Sequence, residues 1–210
     1  MCSLRILLAA VLPSLLLTSC SKDPVQHRFS NEQLAWQGYQ AGEVLRFGRD
    51  RDAQVRTYQV AKIDDIMEPQ SGFFIGTRPE YQRIIVEVQR TDSLSRPEQV
   101  LELRLPEAPF DDRIVHALAG WESYRYASLP IDVVNRGAAI DTSAYQFPGV
   151  YFLPTAVFGA VTYSQVIRTD YRPYTGSATP SRITRRLYYA KGKGVVAFEE
   201  VGKGLWYRLP

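Results

Sequence analysis

Few residues in this chain could carry chemistry, and most of them stand in adjacent pairs. Glu199-Glu200 and Asp111-Asp112 are carboxylates of the type used for acid/base hydrolysis. On a strand, neighbouring side chains point to opposite faces, so Glu199 and Glu200 cannot share one substrate there. Asp111-Asp112 fits helix-start chemistry better, because acidic groups complement the helix dipole. Asp64-Asp65, near Pro69, offers a cation two carboxylates and nothing more, which reads as an exposed turn. Histidine is limited to His27 and His116, so a triad or a multi-histidine zinc site would have to be built around His116 alone. His116 lies among Val115, Ala117 and Leu118, which favours a structural histidine. Arg182, Arg185, Arg186, Lys191 and Lys193 alternate with Tyr188 and Tyr189. As a ligand site, Arg185, Tyr188, Lys191 and Lys193 would take phosphate or an acidic glycan, since guanidinium forks and aromatic faces suit both. The plainer reading is the wet face and turn of a hairpin. Trp36, Trp121 and Trp206 could stack sugars, although aromatic residues in sheet proteins are usually core.

The two cysteines fall outside this set. Cys2 and Cys20 both lie in the first twenty residues, so the rest of the chain has no thiol nucleophile, disulfide or Cys-ligated metal. Leu17-Thr18-Ser19-Cys20 closes an apolar run that begins at Ile6, behind Arg5. It looks like the cleavage and acylation site of a bacterial lipoprotein, with the cut between Ser19 and Cys20. The alternative is an ordinary secretory signal with a chance cysteine beside its cut. Ile6 to Leu17 would rise only about 18 Å as a helix, too short for the roughly 30 Å of bilayer hydrocarbon, so it reads as a removed signal. Lipidation of Cys20 by three acyl chains, palmitate among them, would give a stable anchor where one chain gives marginal binding. The expected division is a signal over 1–19, a lipidated tether over 20–29 and a single domain over 30–210.

Composition narrows the class. A net charge of +3 is too balanced for a nucleic-acid binder, and 45% hydrophobic residues describe a globular chain. Thirteen Tyr and nine Phe against two Met favour strands over helices. Ser30-Asn31-Glu32-Gln33 has the spacing of a capping box. Glu43 to Phe47 and Gln54 to Ile63 flank a charged turn at 49–52, as a hairpin would. Ile84, Val86 and Val88 share one face of Arg83 to Gln89, and Leu101, Leu103 and Leu105 share one face of Val100 to Leu105. Thr91 to Glu98 is the loop between these strands. Phe110 to Gly120 is a helix candidate, with Asp111 as cap and Gly120 as stop; a strand is the alternative. A strand near Trp121 to Tyr126 and an irregular connection to 149 follow. Val150 to Leu153 and Ala160 to Arg168 read as strands separated by Pro154 and Gly159, and 171–181 as a loop. Ile183 to Ala190, Val195 to Glu200 and Leu205 to Leu209 form a final meander with glycine turns at 191–194 and 202–204. Leu205, Tyr207 and Leu209 are expected to share its inward face. The fold class is mainly β: one curved, half-barrel-like antiparallel sheet with one or two short helices.

Three segments carry a family resemblance. Gly42-Glu43-Val44-Leu45-Arg46-Phe47 resembles the opening strand, and Thr162-Tyr163-Ser164-Gln165-Val166 a late "tY-x-x-V" strand, of uncharacterised lipoproteins common in Bacteroidota, Hymenobacter-like organisms among them. The run from Tyr188 to Glu199 is similar to their final hairpin, "YYAKGvGlVkfe", with Lys193 in place of the usual apolar residue between the glycines. The resemblance covers the signal, the first hairpin and about the last fifty residues. It implies a curved antiparallel sheet, like the half-barrels of periplasmic lipid carriers, and no activity.

The functional expectation is a lipid-anchored envelope protein that binds or carries an apolar ligand, or docks a protein partner, without catalysis or cofactor. A structural subunit of an envelope complex is the alternative, and an envelope hydrolase a third. Ser21 in place of Asp after the cysteine, and Lys22-Asp23, point to the outer membrane without choosing its periplasmic or surface side.

Overall fold

The structure, a computed structural model, describes residues 23–70, 77–105, 115–122, 124–138, 140, 149–170 and 184–210. Its strands are β1 (Gln26–His27), β2 (Val44–Arg49), β3 (Val55–Pro69), β4 (Glu80–Arg90), β5 (Glu98–Arg104), β6 (His116–Trp121), β7 (Tyr124–Leu129), β8 (Val150–Phe158), β9 (Val161–Asp170), β10 (Thr184–Ala190), β11 (Gly194–Glu200) and β12 (Gly204–Arg208). Two short helices, α1 (Asn31–Leu34) and α2 (Ile131–Asn135), complete the elements among the described residues. All twelve strands belong to one sheet, ordered β7-β6-β5-β4-β3-β2-β12-β11-β10-β9-β8, with β1 added in parallel beside β4. Apart from that short pair, every ladder is antiparallel. The sheet curls until it is nearly a barrel, and the Thr184 hydroxyl of β10 reaches the Glu122 carbonyl after β6, 3.4 Å away.

The curl follows from the alternation. Leu45 and Phe47, Tyr58 and Val60, Ile84, Val86 and Val88, and Leu101 and Leu103 are all buried on the concave side. Aromatic rings fill the middle of that face: Phe47 touches Tyr58, Trp121 and Phe198 at centroid distances of 5.6, 5.2 and 5.4 Å, and Trp206 stacks on Phe198 at 6.1 Å. The helices plug one end of the barrel. Ser30 caps α1 in a full capping box with Gln33, and Gln33 then donates to Asp132 of α2 at 2.9 Å. Trp36 is buried beneath them and donates its indole N–H to Asn135, 2.9 Å away.

A second, smaller core lies on the convex side. The register between β10 and β11 shifts between Tyr188 and Tyr189, placing Val196 and Ala197 together on the outer face. The β8–β9 hairpin bends over them at Gln165, which adopts a positive φ of 51°. Phe158 and Tyr163 then cover Val196 and Ala197, with Phe158 4.8 Å from Tyr188. At the hairpin tip Gly159 lies against the Tyr207 ring, where a Cβ would come within 2.7 Å of it. Here β11 is therefore buried on both sides.

Several expectations change. His116 to Gly120 is strand, not helix, while residues 106–114, with Asp111 and Asp112, lie outside the described residues. The strand signal was masked by small residues: Val115, Ala117, Ala119 and Trp121 alternate inward, but alanine carries little β preference. The connection after Leu129 contains α2. Strand β8 runs through Pro154, which an edge strand tolerates because the missing N–H faces no neighbour. Leu205 and Tyr207 do not face inward; they pack on the convex core, and Trp206 between them enters the concave one. The 171–181 loop lies outside the described residues.

Candidate functional site

The end of the barrel opposite the helices is its mouth, where β3, β4, β5, β6 and the 91–97 loop meet. A cavity of about 250 Å³ opens there, lined by Tyr58, Arg90, Arg96, Glu98, Trp121 and Glu122 with Val88, Val100 and the loop residues Ser93 to Ser95. Strand alternation sets its floor. Arg56, Tyr58 and Val60 occupy successive inward positions of β3, so an arginine enters the end of a core that is otherwise aromatic and aliphatic. Arg56 is 6% exposed, and its guanidinium lies 3.9 Å over the Trp206 ring. It forks onto Glu200 of β11, 4% exposed, through Nη1–Oε1 at 2.9 Å and Nη2–Oε2 at 2.8 Å.

Glu122 links this pair to the cavity. It follows β6 with a positive φ of 45°, a conformation that non-glycine residues seldom adopt. Its carboxylate accepts from the Tyr58 hydroxyl and lies 3.8 Å from Arg56 and 3.6 Å from Arg90. Arg90 is held from its other side by Asp92. Glu122 thus draws on two cations and a phenol at once.

The electrostatics follow from this arrangement. Burial raises the Tyr58 phenol above its ordinary range and the Glu122 charge raises it further, so it stays a donor. Burial also works against the Glu200 carboxylate, but the Arg56 hydrogen bonds and charge, with Lys203, hold it below the usual carboxylate range. Glu98 is the contrast. It is exposed at the rim. The protein around it displaces some water, and this and then the Glu122 charge push its carboxyl up; its side chain has no ion pair or hydrogen bond among the described residues. A carboxylate at a cavity wall that is repelled by its neighbour accepts a cationic donor readily.

The sequence candidates lie elsewhere. Arg185 is exposed, 3.9 Å from Glu199 near the mouth end of β10. Tyr188 is half-buried in the convex core. Lys191 sits at the opposite end, bonded to Asn135 at 3.0 Å and lying over Trp36. Lys193 is exposed in the same turn, its carbonyl accepting from Arg208 at 2.6 Å. The four do not converge on one surface. Glu199 and Glu200 do point apart, Glu199 to Arg186 and Glu200 to Arg56. Asp64 pairs with Lys62 at 2.7 Å and Asp65 accepts from Gln82 at 2.7 Å; among the described residues no cluster of three metal-ligating side chains occurs. Trp36, Trp121 and Trp206 are core. Ser19 and Cys20 lie outside the described residues, as does the side chain of His116.

One signal could have exposed the mouth in advance: within the strand read over Gln54 to Ile63, Arg56 shares a face with Tyr58 and Val60. Glu122 gave no comparable sign, because its role depends on a turn that brings Trp121 and Tyr124 opposite each other. No family model, curated protein or solved structure matches the chain.

Proposed function

We propose that this protein is a lipid-anchored, non-enzymatic binding module of a bacterial envelope, held through Cys20 and binding its ligand at the barrel mouth. The concave face, the expected seat of an apolar ligand, is taken up by its own aromatic side chains, so the mouth is the better site. Its cavity has the polar character of a site for a small ligand with an ammonium or similar donor. The observation that carries this reading is geometric: Glu98, exposed at the rim, and Glu122 line one cavity of about 250 Å³, and no ion pair engages Glu98 among the described residues although Arg96 shares the lining. Tyr58 and Trp121 supply aromatic walls on which a cation is also favoured.

The test is a thermal-shift screen of small amines, amino acids and polyols against the residue 20–210 chain and its Glu98→Ala variant. A ligand at a hundred times its Kd stabilises by about 2.7 kcal/mol, a shift of several degrees. The reading requires an amine whose shift disappears in Glu98→Ala. Shifts that survive the substitution, or arise only with anions, refute it.

One observation favours a second reading. Two carboxylates in one cavity, one of them raised, form the pattern by which glycosidic acid/base pairs divide their roles. Glu122, however, is committed to Arg56, Arg90 and Tyr58, which suits a fixed electrostatic wall better than a base. Turnover of any glycoside that is lost in Glu98→Gln would favour the hydrolase.

A further inference from the structure

The segment after the anchor position, expected as a free tether, is strapped to the barrel from Val25 onward. Strand β1 extends the sheet where β5 ends, pairing Gln26 with Glu80 and His27 with Tyr81. The Glu80 amide donates to the Val25 carbonyl at 2.9 Å, and Gln26 donates to the Glu80 carboxylate at 2.9 Å. His27 stacks on the Tyr81 ring with centroids 4.7 Å apart and planes 10° from parallel. Phe29 is buried in the main core, and its amide donates to the Gln82 side chain at 3.0 Å. The strap is therefore held by ladder bonds, a ring stack and a core side chain together.

From this geometry we infer that the protein stands on the bilayer in one orientation, with the β1 end against the lipid headgroups and the mouth turned away. The inference rests on the proposed anchor at Cys20 and goes beyond it. Four residues separate Cys20 from Val25, and the five Cα–Cα steps reach about 18 Å at most when fully extended. Glu80, beside the strap, and Arg90, at the mouth, are the two ends of β4, about 33 Å apart along the strand. The short leash therefore cannot invert the molecule to stand it on its mouth, which would lift the strap about 33 Å from the surface. The upright pose is distinguished from one lying on its side by what the strap end exposes. The end it holds exposes Val25, Arg28 and Arg78, an apolar side chain and two cations able to meet anionic headgroups, with the acidic Asp23 and Glu32 also exposed nearby. A ligand site facing away from the membrane is also the arrangement in which the cavity stays open to solutes and partners.

The experiment uses the chain from Cys20 to Pro210, whose single thiol is coupled to a maleimide lipid in phosphatidylglycerol-containing vesicles. A fluorophore is carried at Arg78 or at Leu94 on an azide-bearing residue, and the headgroups carry a nitroxide quencher. Arg78 lies at the strap end, and Leu94 is fully exposed beside the mouth. The label at 78 is expected to be quenched about fivefold more than that at 94, given their separation along β4. Equal or reversed quenching overturns the inference. Inserting about twenty Gly/Ser residues between Lys22 and Asp23 leaves the strap intact and adds about 25 Å of flexible reach, so the two labels should converge. A difference that persists unchanged shows that the short leash is not its cause. Because the maleimide lipid supplies the anchor, this result is independent of natural acylation. That is read separately, from the mass of the amino-terminal peptide isolated from cells: an unmodified Cys20 refutes the anchor and leaves the strap geometry standing.

Discussion

Replacing Arg56 with Met removes a buried charge at nearly constant volume and leaves Glu200 without its fork. Removing one partner of a buried pair costs about 3–5 kcal/mol, chiefly because the other charge stays desolvated. Two features of the mouth place Arg56→Met at the upper end. The guanidinium, 3.9 Å over Trp206, contributes about 1–2 kcal/mol of cation–π attraction that methionine does not restore. Glu122 also loses one of its two cations. Lys203, 3.5 Å from Glu200, offsets part of the loss. The double variant Arg56→Met/Glu200→Leu removes both charges, and its cost should fall well below the sum of the single costs, a coupling of about 2–3 kcal/mol. Urea unfolding followed by tryptophan fluorescence reads this directly. With a slope near 2 kcal/mol/M, a 4 kcal/mol loss lowers the midpoint by about 2 M. A single-variant cost below about 1 kcal/mol, or a double cost equal to the sum, would refute the reasoning, because the pair would then behave as an exposed one.

Other perturbations test the fold and the mouth independently. Glu200, held low, contributes stability above the ordinary carboxylate value of about 4.3 that is lost as pH falls through its folded value; the Tm gap between wild type and Glu200→Gln should therefore narrow below about pH 4. Glu98, held high, has the opposite sign: its contribution is complete at low pH and is lost as pH rises through its folded value, so Glu98→Gln should melt above wild type at pH 7 and match it near pH 3. Gly194 and Gly202 share a positive φ, 73° and 75°, but a Cβ at 194 falls 2.3 Å from the Tyr39 ring and one at 202 meets nothing within 4 Å. Gly202→Ala should cost about 1 kcal/mol in chemical denaturation and Gly194→Ala at least about 3, since the second adds a clash to the same strain; equal costs would contradict the packing described. Phe47→Ala should cost about 3–5 kcal/mol by the same measurement, as it touches three other rings of the core.

The sheet was largely legible because its strands are half-buried. Ile84, Val86 and Val88, or Leu101 and Leu103, alternate with polar residues, and the glycines at 192, 194, 202 and 204 mark turns whose φ is indeed positive. Alternation misleads where burial is two-sided or the inward residue is small. Val196 and Ala197 are covered by a hairpin from elsewhere in the chain, so the alternation of Leu205 and Tyr207, apolar as it is, marks the convex face and not the inward one. Ala117 and Ala119 are inward residues with no side chain large enough to announce it. The mouth was hidden for a third reason. Arg56, Arg90, Glu122 and Glu200 come from four separate strands or turns, and only the closure of the sheet makes neighbours of them. The basic run at 182–193 was visible because it is local, and a strand spreads such a run along its whole length.

The pairing of β2 with β12 sets the order in which the protein can be made. Trp206, Tyr207 and Arg208 zip onto Arg49, Gly48 and Phe47, joining the earliest long strand to the latest. During synthesis the β2–β7 half-sheet can assemble, but one flank stays bare and Phe47 lacks Phe198 until those last residues emerge. Such distant partners make for slow closure and a sticky intermediate. Shortening the chain by a few residues at the carboxyl end should therefore leave an aggregating half-product in place of a slightly weakened native one.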